Sequence, residues 1–117
     1  MIIVIINASA ITEKRTEVFQ TLASVALMVR GEKGCLRCQF CREDEDDTAF
    51  NLIEEWGTRE ELDEHLKSQV FGILLGLQPL LKEPLGIRIC PVASRDGMQA
   101  VKRARGQVAA ASLAAGI

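Results

Sequence analysis

The sequence predicts an α+β domain in the order β-α-β-β-α-β. Three observations carry this. Four short runs, Ile2–Ile6, Cys35–Arg42, Thr48–Trp56 and Ile87–Val92, have the β-branched content or the alternation of strands. The segments between the first and second runs, and between the third and fourth, repeat apolar residues at helical spacing. The second and third runs are separated only by Glu43-Asp44-Glu45-Asp46-Asp47, a polar turn that makes them an antiparallel hairpin. This is the split-βαβ, ferredoxin-like arrangement. Helices can cover only one face of so small a four-stranded sheet. The other face needs cover, and a second copy of the chain supplies it most simply, so a homodimer is expected.

The 117 residues are enough for one hydrophobic core, and the 48% apolar and 26% charged content fits a globular domain. A net charge of −2 gives no reason to expect nucleic acid or an anionic membrane as partner. No apolar run is long enough to span a bilayer. Met1–Ile6 lacks the basic flank and cleavage site of a signal peptide, so it reads as a strand. Four cysteines without an export signal fit free thiols in the cytoplasm.

In chain order, Ile2–Ile6 suits a strand buried on both faces. Asn7 shares a face with Ile3 and Ile5, either as a strand-end hydrogen-bonding group or as a substrate contact. Thr12 is placed to cap a helix of about five turns whose apolar stripe is Val18, Phe19, Leu22, Val25, Ala26 and Val29. Gly31 and Gly34 end it. In the second strand Leu36, Cys38 and Phe40 alternate with Arg37 and Gln39. The acidic turn lacks the glycine and distal glutamate of a calcium loop and reads as solvated. The third strand ends on Trp56. Gly57 breaks it, and Thr58 with Glu61 forms a capping box for a helix over Arg59–Leu66. Ser68 caps a further helical stretch through Leu81, which Pro79 should kink or shorten. Pro91 places the fourth strand at an edge. Residues 94–117 form an alanine-rich tail bearing Lys102, Arg103 and Arg105, read either as disordered or as an arm crossing to a partner subunit.

The stretch 54–66 organises the rest. Leu62, His65 and Leu66 fall on one helix face, so the only histidine points the same way as the buried leucines, close in sequence to the only tryptophan. Glu54-Glu55-Trp56, then Leu62, His65-Leu66-Lys67-Ser68 and Phe71 together resemble the signature of antibiotic-biosynthesis-monooxygenase (ABM) domains, the small quinol-oxygenase-like proteins. The resemblance spans residues 1–93, treated as one domain, and stops before the tail. It implies a dimeric α+β barrel and cofactor-independent oxygenation of a quinol or phenol by molecular oxygen.

His65 is the one side chain whose ordinary pKa lies near neutrality. On an apolar helix face it is either a core histidine with satisfied nitrogens or a base in a cavity between helix and sheet. The resemblance implies the second. Trp56 is a core anchor or a platform for an aromatic substrate. Phe19, Phe50, Leu52, Phe71 and Leu74 would supply an apolar pocket wall. Asn51 lies on the opposite strand face from Trp56. Related oxygenases acting on polyketide phenols carry an asparagine four residues before the tryptophan, where this chain has Leu52. Family members that degrade haem use a histidine where this chain has Leu75, so haem is not expected.

Cys35, Cys38 and Cys41 have a spacing seen in metal and iron–sulfur ligation. On a regular strand, however, Cys38 points away from the other two, so packing thiols and no metal are expected. No phosphate-binding glycine motif is present. Two rivals to the oxygenase stand: an isomerase or lyase using His65 as base, and a non-catalytic dimeric module that binds a small ligand.

Overall fold

The computed structural model describes residues 1–107. Its elements are β1 (Ile2–Ser9), a 3-10 turn (Thr12–Lys14), α1 (Arg15–Arg30), β2 (Cys35–Arg42), β3 (Ala49–Trp56), α2 (Arg59–Leu66), α3 (Gln69–Leu75), a second 3-10 turn (Gln78–Leu80), β4 (Gly86–Pro91) and α4 (Met98–Ala104). The strands form one sheet in the order β2-β3-β1-β4, with every neighbouring pair antiparallel. The expected β-α-β-β-α-β ferredoxin-like α+β fold is therefore present, with the second helical region divided.

Strand parity builds the core. Ile2, Val4, Ile6 and Ala8 of β1 and Phe50, Leu52, Glu54 and Trp56 of β3 are buried on the face that carries α1, α2 and α3. α1 presents Val18, Leu22, Val25, Ala26 and Val29 to that face. Burying each of the larger apolar side chains stabilises the fold by about 1.5–3 kcal/mol. The other sheet face, with Ile3, Ile5, Asn7, Asn51 and Ile53 across β1 and β3, lies opposite α1, α2 and α3 and stays only half-buried among the described residues.

Several local details differ from the sequence expectation. Thr12 starts a 3-10 turn, and α1 begins at Arg15 without a side-chain cap. Phe19, placed on the apolar stripe of α1, keeps 37% of its surface exposed at the rim of the core. α3 stops at Leu75, and Pro79 lies in the separate turn that follows, where its missing N–H costs no helical bond. Ser68 and Thr58 cap α3 and α2 as expected, each accepting a bond from a backbone N–H.

The largest correction concerns β2. Cys35 pairs with Trp56 but Arg37 pairs with Glu55, so Leu36 is the extra residue of a β-bulge. The bulge resets the alternation. Cys35 and Cys38 share the helix-bearing face, Cys41 lies on the other, and Leu36 is 60% exposed. All four cysteines are free. Burial, and then the nearby Glu54 carboxylate, push the Cys38 thiol up to about 12. The same causes raise Cys35.

Residues 98–104 of the tail are helical, and none of them is buried. The remainder of the tail, 108–117, lies outside the described residues, and with it most of the expectation of an arm or a disordered end. Among the described residues no helix is long and apolar enough to cross a membrane.

Candidate functional site

Trp56 and His65 meet where β3 runs into α2. Thr58 caps α2 two residues after the strand ends: its hydroxyl accepts from the Glu61 N–H and donates to the Glu61 carboxylate, in place of the reciprocal backbone bond of a full capping box. One and a half turns later the helix returns His65 over the sheet. Its imidazole stacks on the Trp56 ring with centroids 4.5 Å apart and 25° between planes. Phe71 of α3 meets the imidazole edge-on at 5.4 Å.

Two carboxylates that sequence reasoning did not single out complete the group. His65 Nδ1 lies 2.8 Å from Glu32 Oε2, in the loop between α1 and β2. His65 Nε2 lies 3.3 Å from Glu54 Oε1, at ion-pair distance but off the line of a hydrogen bond. The Trp56 indole N–H donates to that same Glu54 oxygen at 2.8 Å. Glu54 Oε2 has no hydrogen-bond partner among the described residues.

The side chains of His65 and Glu54 are fully buried, whereas that of Glu32 keeps 22% of its surface exposed. Burial pulls the His65 pKa down, but Glu54 and then Glu32 outweigh it, so the net displacement is upward. An imidazolium between two carboxylates is the arrangement in which a buried positive charge is matched on both sides. The thiols of Cys35 and Cys38 and the Arg30 guanidinium stand nearby on β2 and α1. Arg30 Nε donates to the Cys38 carbonyl at 2.9 Å, which ties the end of α1 to β2.

The residues expected to form one pocket fall into separate groups. Trp56, His65 and Phe71 are together. Phe19 and Phe50 lie at the other end of β3, about 20 Å from Trp56 at a strand rise of about 3.3 Å per residue. There they form an aromatic cluster with Phe40, at centroid distances of 5.2–5.9 Å. They border a surface hollow of about 150 Å³ shared with Arg15, Thr16, Arg42 and Asp47. Leu52 and Leu74 are core residues without exposed surface to speak of. Asn7 faces away from the helices and donates its amide N–H to the Asn51 side chain opposite it in register. The space where His65 was expected to meet a cavity is occupied by the Trp56 ring, the Phe71 edge and the two carboxylates.

A signal for Glu54 was present in the sequence. It shares strand parity with Leu52 and Trp56, and a charged residue at a core position demands a partner. Glu32 offered none, because a loop residue 33 positions from its partner follows no local period. Among the described residues no cluster of three or more His, Cys, Asp or Glu side chains is arranged to hold a metal ion.

The model of the antibiotic biosynthesis monooxygenase family matches residues 1–72. That span includes β1 to β3, α1, α2 and the five residues of the buried group, Glu32, Glu54, Trp56, His65 and Phe71. Among solved structures, a candidate antibiotic biosynthesis monooxygenase from Deinococcus radiodurans is similar at 23% identity and TM-score 0.76, over 83% of this chain and 97% of that one. A counterpart from Nitrosomonas europaea has 21% identity and TM-score 0.74, over 80% and 100%. A conserved protein from Methanosarcina mazei Go1 has 27% identity and TM-score 0.69, over 75% and 88%. No curated protein matches the chain. With the family pattern extending over more than half of its length and the fold shared with these structures, the chain belongs to the antibiotic biosynthesis monooxygenase family.

Proposed function

We propose that the protein is a cofactor-independent monooxygenase that acts with molecular oxygen on an electron-rich quinol or phenol. Family membership supports the reaction class. The observation that carries the reading is the histidine held between two carboxylates and stacked on the only tryptophan. A substrate hydroxyl proton would pass to this group, leaving a phenolate or enolate that transfers an electron to oxygen directly. Two carboxylates make His65 a stronger base than a free imidazole. Trp56 would orient the aromatic ring. Phe71 and Leu74 of α3 would line the space opened when a substrate uncovers the imidazole, and Leu52 would back it from β3. Phe19, Phe50 and Asn7 lie too far from the imidazole, or on the wrong sheet face, to take part.

The protein would act in the cytoplasm as a homodimer. A second copy packed on the sheet face opposite α1, α2 and α3 would cover Ile3, Ile5 and Ile53, as in a dimeric α+β barrel.

One observation favours a second reading, a non-catalytic dimeric module that binds a small ligand. The His65 side chain has no exposed surface, and both ring nitrogens already face carboxylates. Oxygen uptake with a panel of hydroquinones and anthrones separates the two. The oxygenase reading expects protein-dependent uptake that falls by about 100-fold or more in His65→Gln, the range for loss of a proton-transfer group. Protein-dependent uptake that survives His65→Gln removes His65 from the mechanism. No uptake across the panel leaves the binding module and the isomerase or lyase, and calorimetric ligand binding follows.

A further inference from the structure

We propose that Glu32 is the proton port of the buried group, the carboxylate through which protons reach and leave His65. The role is distinct from the oxygen chemistry and holds whether or not the protein turns over a substrate.

His65 has two polar neighbours. On the Nε2 side stands Glu54, which is itself fully buried. One of its oxygens is held by the Trp56 N–H, and the other has no hydrogen-bond partner among the described residues. A proton passed that way has nowhere further to go. The ring faces are no better, since Trp56 covers one side and Phe71 closes an edge. On the Nδ1 side the contact is a 2.8 Å hydrogen bond to a carboxylate that keeps part of its surface in water. Among the described residues, Glu32 is the one polar group touching the imidazole that spans the interior and the solvent.

The loop is built to hold it there. α1 ends at Gly31, and the Glu32 N–H donates to the Val29 carbonyl at 3.0 Å. The Glu32 carbonyl accepts from the Cys35 N–H at 3.2 Å, which carries the chain into β2. Gly34 adopts φ 87°, and its carbonyl accepts from the Gly57 N–H at 3.0 Å at the end of β3. The loop is thus fastened to α1, β2 and β3, and Glu32 points inward from a fixed frame.

The step conserves charge and involves no redox partner. The proton on Nδ1 moves along the hydrogen bond to Glu32 Oε2, leaving a neutral imidazole and a carboxylic acid. The acid then releases the proton to water. The other ionisable groups around the ring do not compete. The Cys35 and Cys38 thiols are raised by burial and by the Glu54 carboxylate.

Because the chain has one histidine, its imidazole N–H can be followed by nitrogen-15 NMR without overlap from another. The experiment measures exchange of the Nδ1 proton with water in the full-length protein at fixed pH and temperature. Backbone spectra check that each variant is folded. Glu32→Gln keeps the shape and removes the proton acceptor, so exchange is expected to slow by about tenfold or more, since it must then wait for local opening. Glu32→Asp keeps a carboxylate and is expected to exchange within a few-fold of the wild type. Exchange in Glu32→Gln as fast as in the wild type overturns the proposal. Equal exchange in the Gln and Asp variants overturns it as well, because a role confined to holding the ring would not distinguish them by proton transfer.

Discussion

Replacing Gly34 by alanine tests whether the loop carrying Glu32 is as constrained as its contacts indicate. Two costs arise at once. The residue sits at φ 87°, where a side chain adds about 1–2 kcal/mol. A Cβ there would also lie 2.5 Å from the Glu61 Cβ and 2.6 Å from Glu61 Oε1. Rotating the Glu61 carboxylate away does not relieve the first contact, so either the loop or the first turn of α2 must shift. That breaks the cap, in which Thr58 and Glu61 are bonded at 3.0 and 3.2 Å, worth about 1 kcal/mol. The total is about 2–3 kcal/mol. With an unfolding entropy of about 2.1 cal/mol/K per residue, this lowers Tm by about 8–12 °C for a chain of 117 residues.

Thermal melts followed by circular dichroism read the effect. The double variant with Glu61→Gly refines it, since removing the opposing Cβ should leave only the dihedral cost of the alanine. The same substitution displaces Glu32 and should therefore lower the His65 pKa by NMR. A Gly34→Ala protein that melts within about 2 °C of the wild type would refute the reasoning.

Three further expectations concern the buried group and the thiols. His65 is raised in the folded state, so its contribution to stability is complete below the unfolded value of about 6.5 and is lost as pH rises through the folded value. Urea midpoints measured from pH 6 to pH 9 should fall over that window in the wild type and not in His65→Gln. Glu54→Gln removes the charge facing Nε2 while Glu32 stays in place, so it should cost about 3 kcal/mol, the low end for a broken buried pair, and lower the His65 pKa in the NMR titration. Iodoacetamide at pH 8 should label the exposed Cys90 and spare Cys38, which is buried and held up at about 12; rapid labelling of Cys38 by mass spectrometry would contradict its placement.

Periodicity made most of the fold legible. The two-residue period in Ile2–Ile6 and Thr48–Trp56 and the stripe from Val18 to Val29 are local patterns that the core then uses. β2 was found with its bounds at Cys35 and Arg42, yet its facing was misread, because the bulge at Leu36 carries no glycine or proline to announce it. The site divided in the same way. Trp56 and His65 were visible as single residues of their kind in a stretch with clear strand and helix signals. What makes them a unit is non-local, a loop carboxylate and a strand carboxylate converging on one imidazole from different parts of the chain. Nor could the sequence show that Phe19 and Phe50 gather with Phe40 away from His65, since membership of an apolar stripe does not say which end of the sheet a side chain occupies.

The strand order also fixes a sequence of events in time. β1 is central, with β3 on one side and β4 on the other, and Ile2 pairs with Pro91. During synthesis β1 emerges before the other strands, but its second neighbour is made only after the helices and the hairpin of the same domain. Until then one edge of an isoleucine-rich segment has no partner, the condition under which such segments seek pairing with other chains. The hairpin of β2 and β3 can form from near-neighbours, whereas closure of the sheet waits for its most distant contact and sets the pace of folding. The part of the molecule laid down first is the part secured last.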